Sequence, residues 1–430
     1  MIRIVDWIRT LFQNIVPKGS IDWSEYPKDA TCVDLRGKGI THINWDNAPR
    51  NLTEIDLSLN KITHMNWVNA PPNLTRVNLY ANGLTNMNWV NAPQQLTTVI
   101  LSGNSLTNIN WDSSPPNLTV VDLSYNRITH INWNNAPPQL TVVNLGSNGI
   151  THINWEYSPP QLTQVSLYNN GLTEMNWENV PQDLARLDLY GNGITHMNWK
   201  NAPKQLTKVS LTHNSITEMN WDNAPPNLKE VHLMSNRLTH MNWDSSPQQL
   251  NEVDLSGNQI SHVNWDNAPQ TLITMNVSYN RITEMNWDNA PQQLNKVYLM
   301  GNQINSMNWV NAPSNLTEVY LCWNRITKMN WVNAPPQLTG VNLGSNPITE
   351  IIWKNVPGTL SFIDGYYNKF REYKAARRIQ QVYIRHYTRR KAAARKIVDG
   401  CHNWVWKPVC QDGTIGIRPR LDTLELGLTN

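Results

Sequence analysis

The chain has 430 residues and a formal net charge of +3, with 40% of its residues apolar and 16% charged. Four cysteines, Cys32, Cys322, Cys401 and Cys410, are too few and too scattered for a disulfide framework, which points to a reducing, intracellular compartment, the cytoplasm. No stretch approaches the ~20 apolar residues that span a bilayer, and the chain lacks a glycine-rich phosphate loop, a metalloprotease His pair and a serine elbow, so a non-catalytic protein without cofactor or metal is expected.

The first segment, residues 1–20, places Ile4, Trp7, Ile8, Leu11, Phe12 and Ile15 at helical spacing, while Asp6, Arg9 and Gln13 interrupt any secretory apolar core. A capping helix is the expectation here.

From Trp23 to Trp353, sixteen tryptophans recur every 22 residues without insertion or deletion. A strict period of this length marks a solenoid whose coils touch only their neighbours, so residues 21–368 are read as one stacked array rather than two or three globules. In the coil from Leu52 to Asn73, the residues Leu52, Ile55, Leu57, Asn60 and Ile62 are followed by Ile62, Met65 and Trp67 at nearly the same apolar spacing. Each coil therefore carries two short extended segments with one side turned inward. Ala70-Pro71-Pro72 closes the coil, because proline fixes φ and offers no donor.

The string L-x-x-I-x-L-x-x-N-x-I resembles a leucine-rich repeat, and the nested pattern is similar to repeats with two extended segments per coil in bacterial and large-virus proteins. A more distant likeness is to the FNIP repeats of protist and viral proteins. The resemblance implies a β-rich repeat solenoid of shallow curvature with helical caps at both ends, and a scaffold that binds other proteins. It also extends to large DNA viruses of protists, which implies host cytoplasm or virion as the location of a viral chain.

Physical chemistry accounts for the repetition. Stacking lets each indole bury ~150–250 Å², about 4–6 kcal/mol per ring at ~25 cal/mol per Å² before entropy. The row from Asn60 to Asn368 is expected to bond backbone groups of its own turn and the adjacent coil, groups that cost ~1–3 kcal/mol each when buried unmet. Asn66, Asn88 and their equivalents form a second row directly before the Trp. The ends deviate as capping coils do: Ala30 and Lys38 replace Leu and Asn, and Gly365 and Ala375 replace Leu and Trp.

Function is sought where the repeat varies. The outward positions of the first segment are taken as those of Glu54, Asp56 and Ser58, with Leu59 at the edge. Along these columns Tyr279, then Tyr298 and Met300, then Tyr320, Cys322 and Trp323 fall on three consecutive coils, a composition typical of a protein-binding hot spot. Tyr168 and Tyr190 form a smaller group. A column of histidines including His42, His64, His240 and His262 also holds Glu174 and Lys328, and reads as a solvated row rather than a zinc site.

Residues 369–398 break the period, and residues 369–396 contain eleven Lys or Arg and one Glu, so the remaining residues sum to −7 (3 − 10). The run Ala375-Ala376-Arg377-Arg378-Ile379-Gln380 through Arg389 resembles an IQ motif, the docking helix for calmodulin-family proteins, although Ile384 and Arg385 stand where the inner Arg and Gly are expected. The resemblance implies that Ile379, Gln380, Arg385, Arg389 and Arg390 face a calmodulin-like or anionic partner. Nucleic acid or an anionic membrane is a less favoured alternative, and capping of the last coil by Phe370, Tyr373 and Ile379 is compatible with each. The tail, residues 399–430, alternates Trp404 and Trp406 like an edge strand and carries Cys401, His402 and Cys410, too few ligands for zinc. The overall expectation is a monomeric scaffold with protein partners, against the alternative of a virion or lattice component packing through uniform faces.

Overall fold

The computed structural model describes residues 19–365 and the helix residues 367–400. The capping helix expected over residues 1–20 and the edge strand and cysteines of residues 399–430 fall almost wholly outside these. The chain forms two compact units divided between residues 366 and 367.

In the first unit, sixteen strands of three residues, from Cys32–Asp34 to Phe362–Asp364, form one parallel sheet in sequence order. Neighbouring strands pair one repeat apart, Cys32 with Glu54 and Val33 with Ile55. The inward residue of each strand is apolar: Ile55 is 2% exposed and Val77 is fully buried. Leu52, Leu57 and Ile62 complete the interior of one coil, with Met65 and Trp67 supplied by its second segment.

The indoles form the expected ladder. Trp45 and Trp67 stack with ring centroids 6.3 Å apart and planes 8° apart, and Trp199 and Trp221 at 6.4 Å and 5°. Each ring also does something the periodicity did not reveal. The Trp45 Nε1–H donates to the Asn66 carbonyl of the next coil at 2.7 Å, and the bond recurs from Trp199 to Asn220 and from Trp309 to Asn330. The second segment therefore holds its neighbours through indole N–H groups, whereas the first uses backbone pairing.

The second Asn row explains how those carbonyls are aimed. Asn66 is exposed, and its Oδ1 accepts the Val68 N–H, fixing the backbone turn around the carbonyl that the previous indole reaches. Where Ile352 replaces this Asn, the Trp331 Nε1–H is buried without a partner. There Ile352 N–H donates instead to the Met329 carbonyl, and Lys328–Met329 pairs with Glu350–Ile351 as a two-stranded sheet.

The first Asn row is buried or half-buried, and its side chains are saturated. Asn60 Nδ2 donates to the carbonyls of Leu35 and Leu57, both at 2.9 Å, and its Oδ1 accepts the Ile40 N–H at 3.0 Å, so one side chain bonds across adjoining coils. The closing turn also has a reason for its residues. Asn69 sits at φ +63, a left-handed conformation that Asn tolerates, and most coils carry Asn there.

The second unit contains the helix Tyr367–Gly400. Among the described residues, no helix is long and apolar enough to cross a membrane.

Candidate protein-binding surface

On each strand the residues flanking the inward one face out, as at Glu54 and Asp56. The column of Ser58 corrects the expectation for its small residues, whereas the larger Tyr80 in the same column is 44% exposed. Ser58, Ser124 and Ser278 are buried, because the strand has ended and the next residue, Leu59, turns left-handed at φ +58, folding Ser58 against the adjoining coil. An Asp or Asn two residues earlier caps this turn: Asp56 Oδ1 accepts the Ser58 N–H at 2.9 Å, and Asn276 Oδ1 that of Ser278 at 3.1 Å.

Tyr298 and Tyr320 occupy that capping position on consecutive strands and forgo the cap. Their rings stack instead, with centroids 4.6 Å apart and planes 13° apart. The Tyr320 hydroxyl donates to Glu318 Oε2 at 2.7 Å, and Lys296 Nζ lies 3.1 Å from the other Glu318 oxygen. The bond to the Glu318 carboxylate, with desolvation, pushes the Tyr320 phenol up to about 12, and the same bond holds the Glu318 carboxyl below its ordinary value. Because the folded-state value lies above the ordinary 10.0, this contribution to stability is complete below pH 10 and fades as pH rises through about 12. Alkaline titration should accordingly find a phenol that ionises last in the wild type and is missing in Tyr320→Phe.

Tyr279 and Trp323 lie two coils apart yet touch, ring centroids 6.2 Å apart, because the intervening position is Gly301. A Cβ on Gly301 would sit 2.5 Å from Tyr279 Cδ1. Both aromatic residues are left-handed, Tyr279 at φ +54 and Trp323 at φ +56, and about half exposed. Met300 and Cys322 are half-buried, and desolvation raises the Cys322 thiol above its ordinary value.

Five coils carry a left-handed glycine in this same column, at Gly37, Gly103, Gly191, Gly257 and Gly301.

The smaller aromatic group extends beyond Tyr168 and Tyr190. Tyr125 meets Tyr168 edge-on at 6.1 Å across the coil of Gly146, and Tyr190 meets His213 at 5.2 Å. The sequence signal for Tyr125 and His213 is the column of Leu59 followed coil by coil with its glycines in view. On the coils of Tyr168, Tyr190 and His213 and the one after lies an open depression of about 660 Å³, lined by Arg186, Lys208 and Lys229 against Asp188 and Glu230. Within it Lys208 pairs with Glu230 at 2.6 Å.

The exposed histidines bond to their neighbours, as His64 Nδ1 with Thr63 Oγ1 at 2.9 Å, and no cluster among the described residues is arranged to hold a metal. On the helix, Ile379 is 70% exposed, and Gln380, Arg385, Arg389 and Arg390 are exposed with it. Tyr383 and Tyr387 stack along the helix at 6.4 Å.

Profiles described as leucine-rich repeat match residues 94–150 and 48–63. The structure is similar to YopM from Yersinia pestis, with TM-score 0.60 and 21% identity over 78% of this chain and 88% of that one. The fold is the leucine-rich-repeat solenoid. It is similar also to a leucine-rich-repeat protein of Leptospira interrogans, with TM-score 0.59 and 21% identity over 77% of this chain and 93% of that one. A third leucine-rich-repeat likeness is to a chain of the Toll–Spatzle complex of Drosophila, with TM-score 0.57 and 21% identity, covering 75% of this chain and 51% of that one. A search of curated protein sequences found no match.

Proposed function

We propose that this leucine-rich-repeat protein is a non-catalytic scaffold that captures a protein partner on the surface formed by Tyr279, Tyr298, Met300, Tyr320 and Trp323. One observation carries the reading: aromatic rings gather on three consecutive coils, and on the coil of Tyr320 and Trp323 the capping position and the left-handed position are both given to an aromatic residue. Tyr298 and Tyr320 stand where Asp or Asn caps the turn in most coils, and Tyr279 and Trp323 hold a left-handed backbone that five coils assign to glycine. A bulky residue there costs the fold about 1 kcal/mol or more, and strained positions of this kind concentrate at functional sites. That a solenoid of the same fold is known in a complex, Toll with Spatzle, supports the class of function.

The basic helix serves as a second contact, for a calmodulin-like protein or another anionic partner, through Ile379, Gln380, Arg385, Arg389 and Arg390. Its exposed apolar residues, Ile379 and Val382 at 70% and 65%, support this. Calmodulin capture should respond to calcium and be lost in Ile379→Asp, whereas attraction by charge alone weakens steeply with salt and survives that change.

Replacing Tyr320 and Trp323 together with serine should leave circular dichroism unchanged and remove the partner bands that the wild type draws from its native cell. Full retention of those bands ends the proposal. Trp323→Gly goes further: relief of the left-handed strain should raise unfolding stability by roughly 0.5–1 kcal/mol while capture is lost.

A further inference from the structure

We infer that the occupant of the Tyr279–Trp323 surface is an acidic peptide segment in polyproline II conformation, its carboxylates three residues apart and met by Arg281 and Arg325. The inference rests on the reading of that surface as a docking site.

Arg281 and Arg325 stand two residues beyond Tyr279 and Trp323, on the same two coils, and both are exposed. Among the described residues, no ion pair or side-chain hydrogen bond engages either guanidinium. The rest of their column contains Lys61, Arg127 and Arg237 and no acidic residue in any coil. That is unusual for this unit, because residues 19–365 contain 18 Lys or Arg against 26 Asp or Glu, a net of −8 (18 − 26). Two free guanidiniums flanking an aromatic pair on an acidic body complement a short acidic ligand. The same body repels a long polyanion, which disfavours nucleic acid.

Spacing selects the conformation. Parallel strands lie ~4.8 Å apart, so Arg281 and Arg325, on alternate coils, are attached about 9.6 Å apart along the stack. A polyproline II segment has three residues per turn and rises ~3.1 Å per residue, so residues three apart project to the same side about 9.3 Å from one another. In a β-strand the same-side repeat is two residues, about 6.7 Å, which misses the second arginine. The residues between the two acids then lie over the Tyr279 and Trp323 rings, which meet above Gly301. Aromatic surfaces of this kind take proline-rich segments, whose ordering cost is already low.

Fluorescence anisotropy on the full chain tests this with synthetic peptides repeating Glu-Pro-Pro, peptides repeating Glu-Pro, peptides repeating Lys-Pro-Pro, and oligouridylate. The Glu-Pro-Pro peptide should bind at least about tenfold tighter than the other three, a difference of ~1.4 kcal/mol. The paired change Arg281→Glu and Arg325→Glu, checked for fold by circular dichroism, should abolish that binding and create binding of the Lys-Pro-Pro peptide. Equal binding of Glu-Pro-Pro and Glu-Pro, absence of Glu-Pro-Pro binding, or preference for oligouridylate overturns the inference. If those results accompany loss of the native partner in Trp323→Ser, the docking surface stands and the acidic polyproline ligand alone is wrong. If Trp323→Ser leaves native capture intact, the surface itself is wrong.

Discussion

Truncation of Trp199 to alanine is expected to lower unfolding stability by about 3–5 kcal/mol, read by guanidinium denaturation, the range for deleting a fully buried large aromatic. The ring is 1% exposed, lies between Trp177 and Trp221 with centroids 5.9 and 6.4 Å away, and donates its Nε1–H to Asn220. The change therefore opens a cavity, removes two stacking contacts and leaves a carbonyl unmet. In a solenoid each coil is held by its neighbours, so the loss weakens both adjoining interfaces. The same truncation at Trp23, which has an indole neighbour on one side only among the described residues, should cost less.

Changing Asn214 to alanine should cost roughly 2–4 kcal/mol, because several buried backbone groups lose their partner at once. Asn214 Nδ2 donates to the carbonyls of Leu189, Leu211 and Thr212, and its Oδ1 accepts the Ile194 N–H. Asn214→Asp gives a sharper result. An ionised carboxylate would face those three carbonyls, so its folded-state pKa rises above the unfolded value of about 3.9. A group raised in this way supports the fold below the unfolded pKa and loses that support as pH climbs through the folded one. The aspartate variant should therefore be far less stable than wild type at pH 7 and recover part of the difference below about pH 4. Parallel curves for the two proteins across this range would show that the row is not bonded as described.

The ladders were legible in the sequence because the same residue meets the same surroundings in every coil, so burial of Trp67 and saturation of Asn60 follow from position alone. The burial of Ser58 was not, since period-two alternation was counted past a strand that ends at Asp56. The indole bond to the second segment was hidden because nothing in the string distinguishes a ring that only stacks from one that also donates. The replacement at Ile352 is the clue in retrospect. On the candidate surface the residues were legible and their grouping was not: contact of Tyr279 with Trp323 depends on the missing side chain at Gly301, as Tyr125 with Tyr168 depends on Gly146.

The central claim is that buried, hydrogen-bonded indoles make the frame while exposed exceptions to the repeat carry recognition. Hydrogen exchange of the indole N–H groups, followed by nuclear magnetic resonance, tests it most directly. The ladder from Trp45 to Trp309 should exchange slowly and together, at the rate of global opening, while Trp323, 54% exposed, exchanges at once. Ladder indoles that exchange as fast as Trp323 would contradict the account.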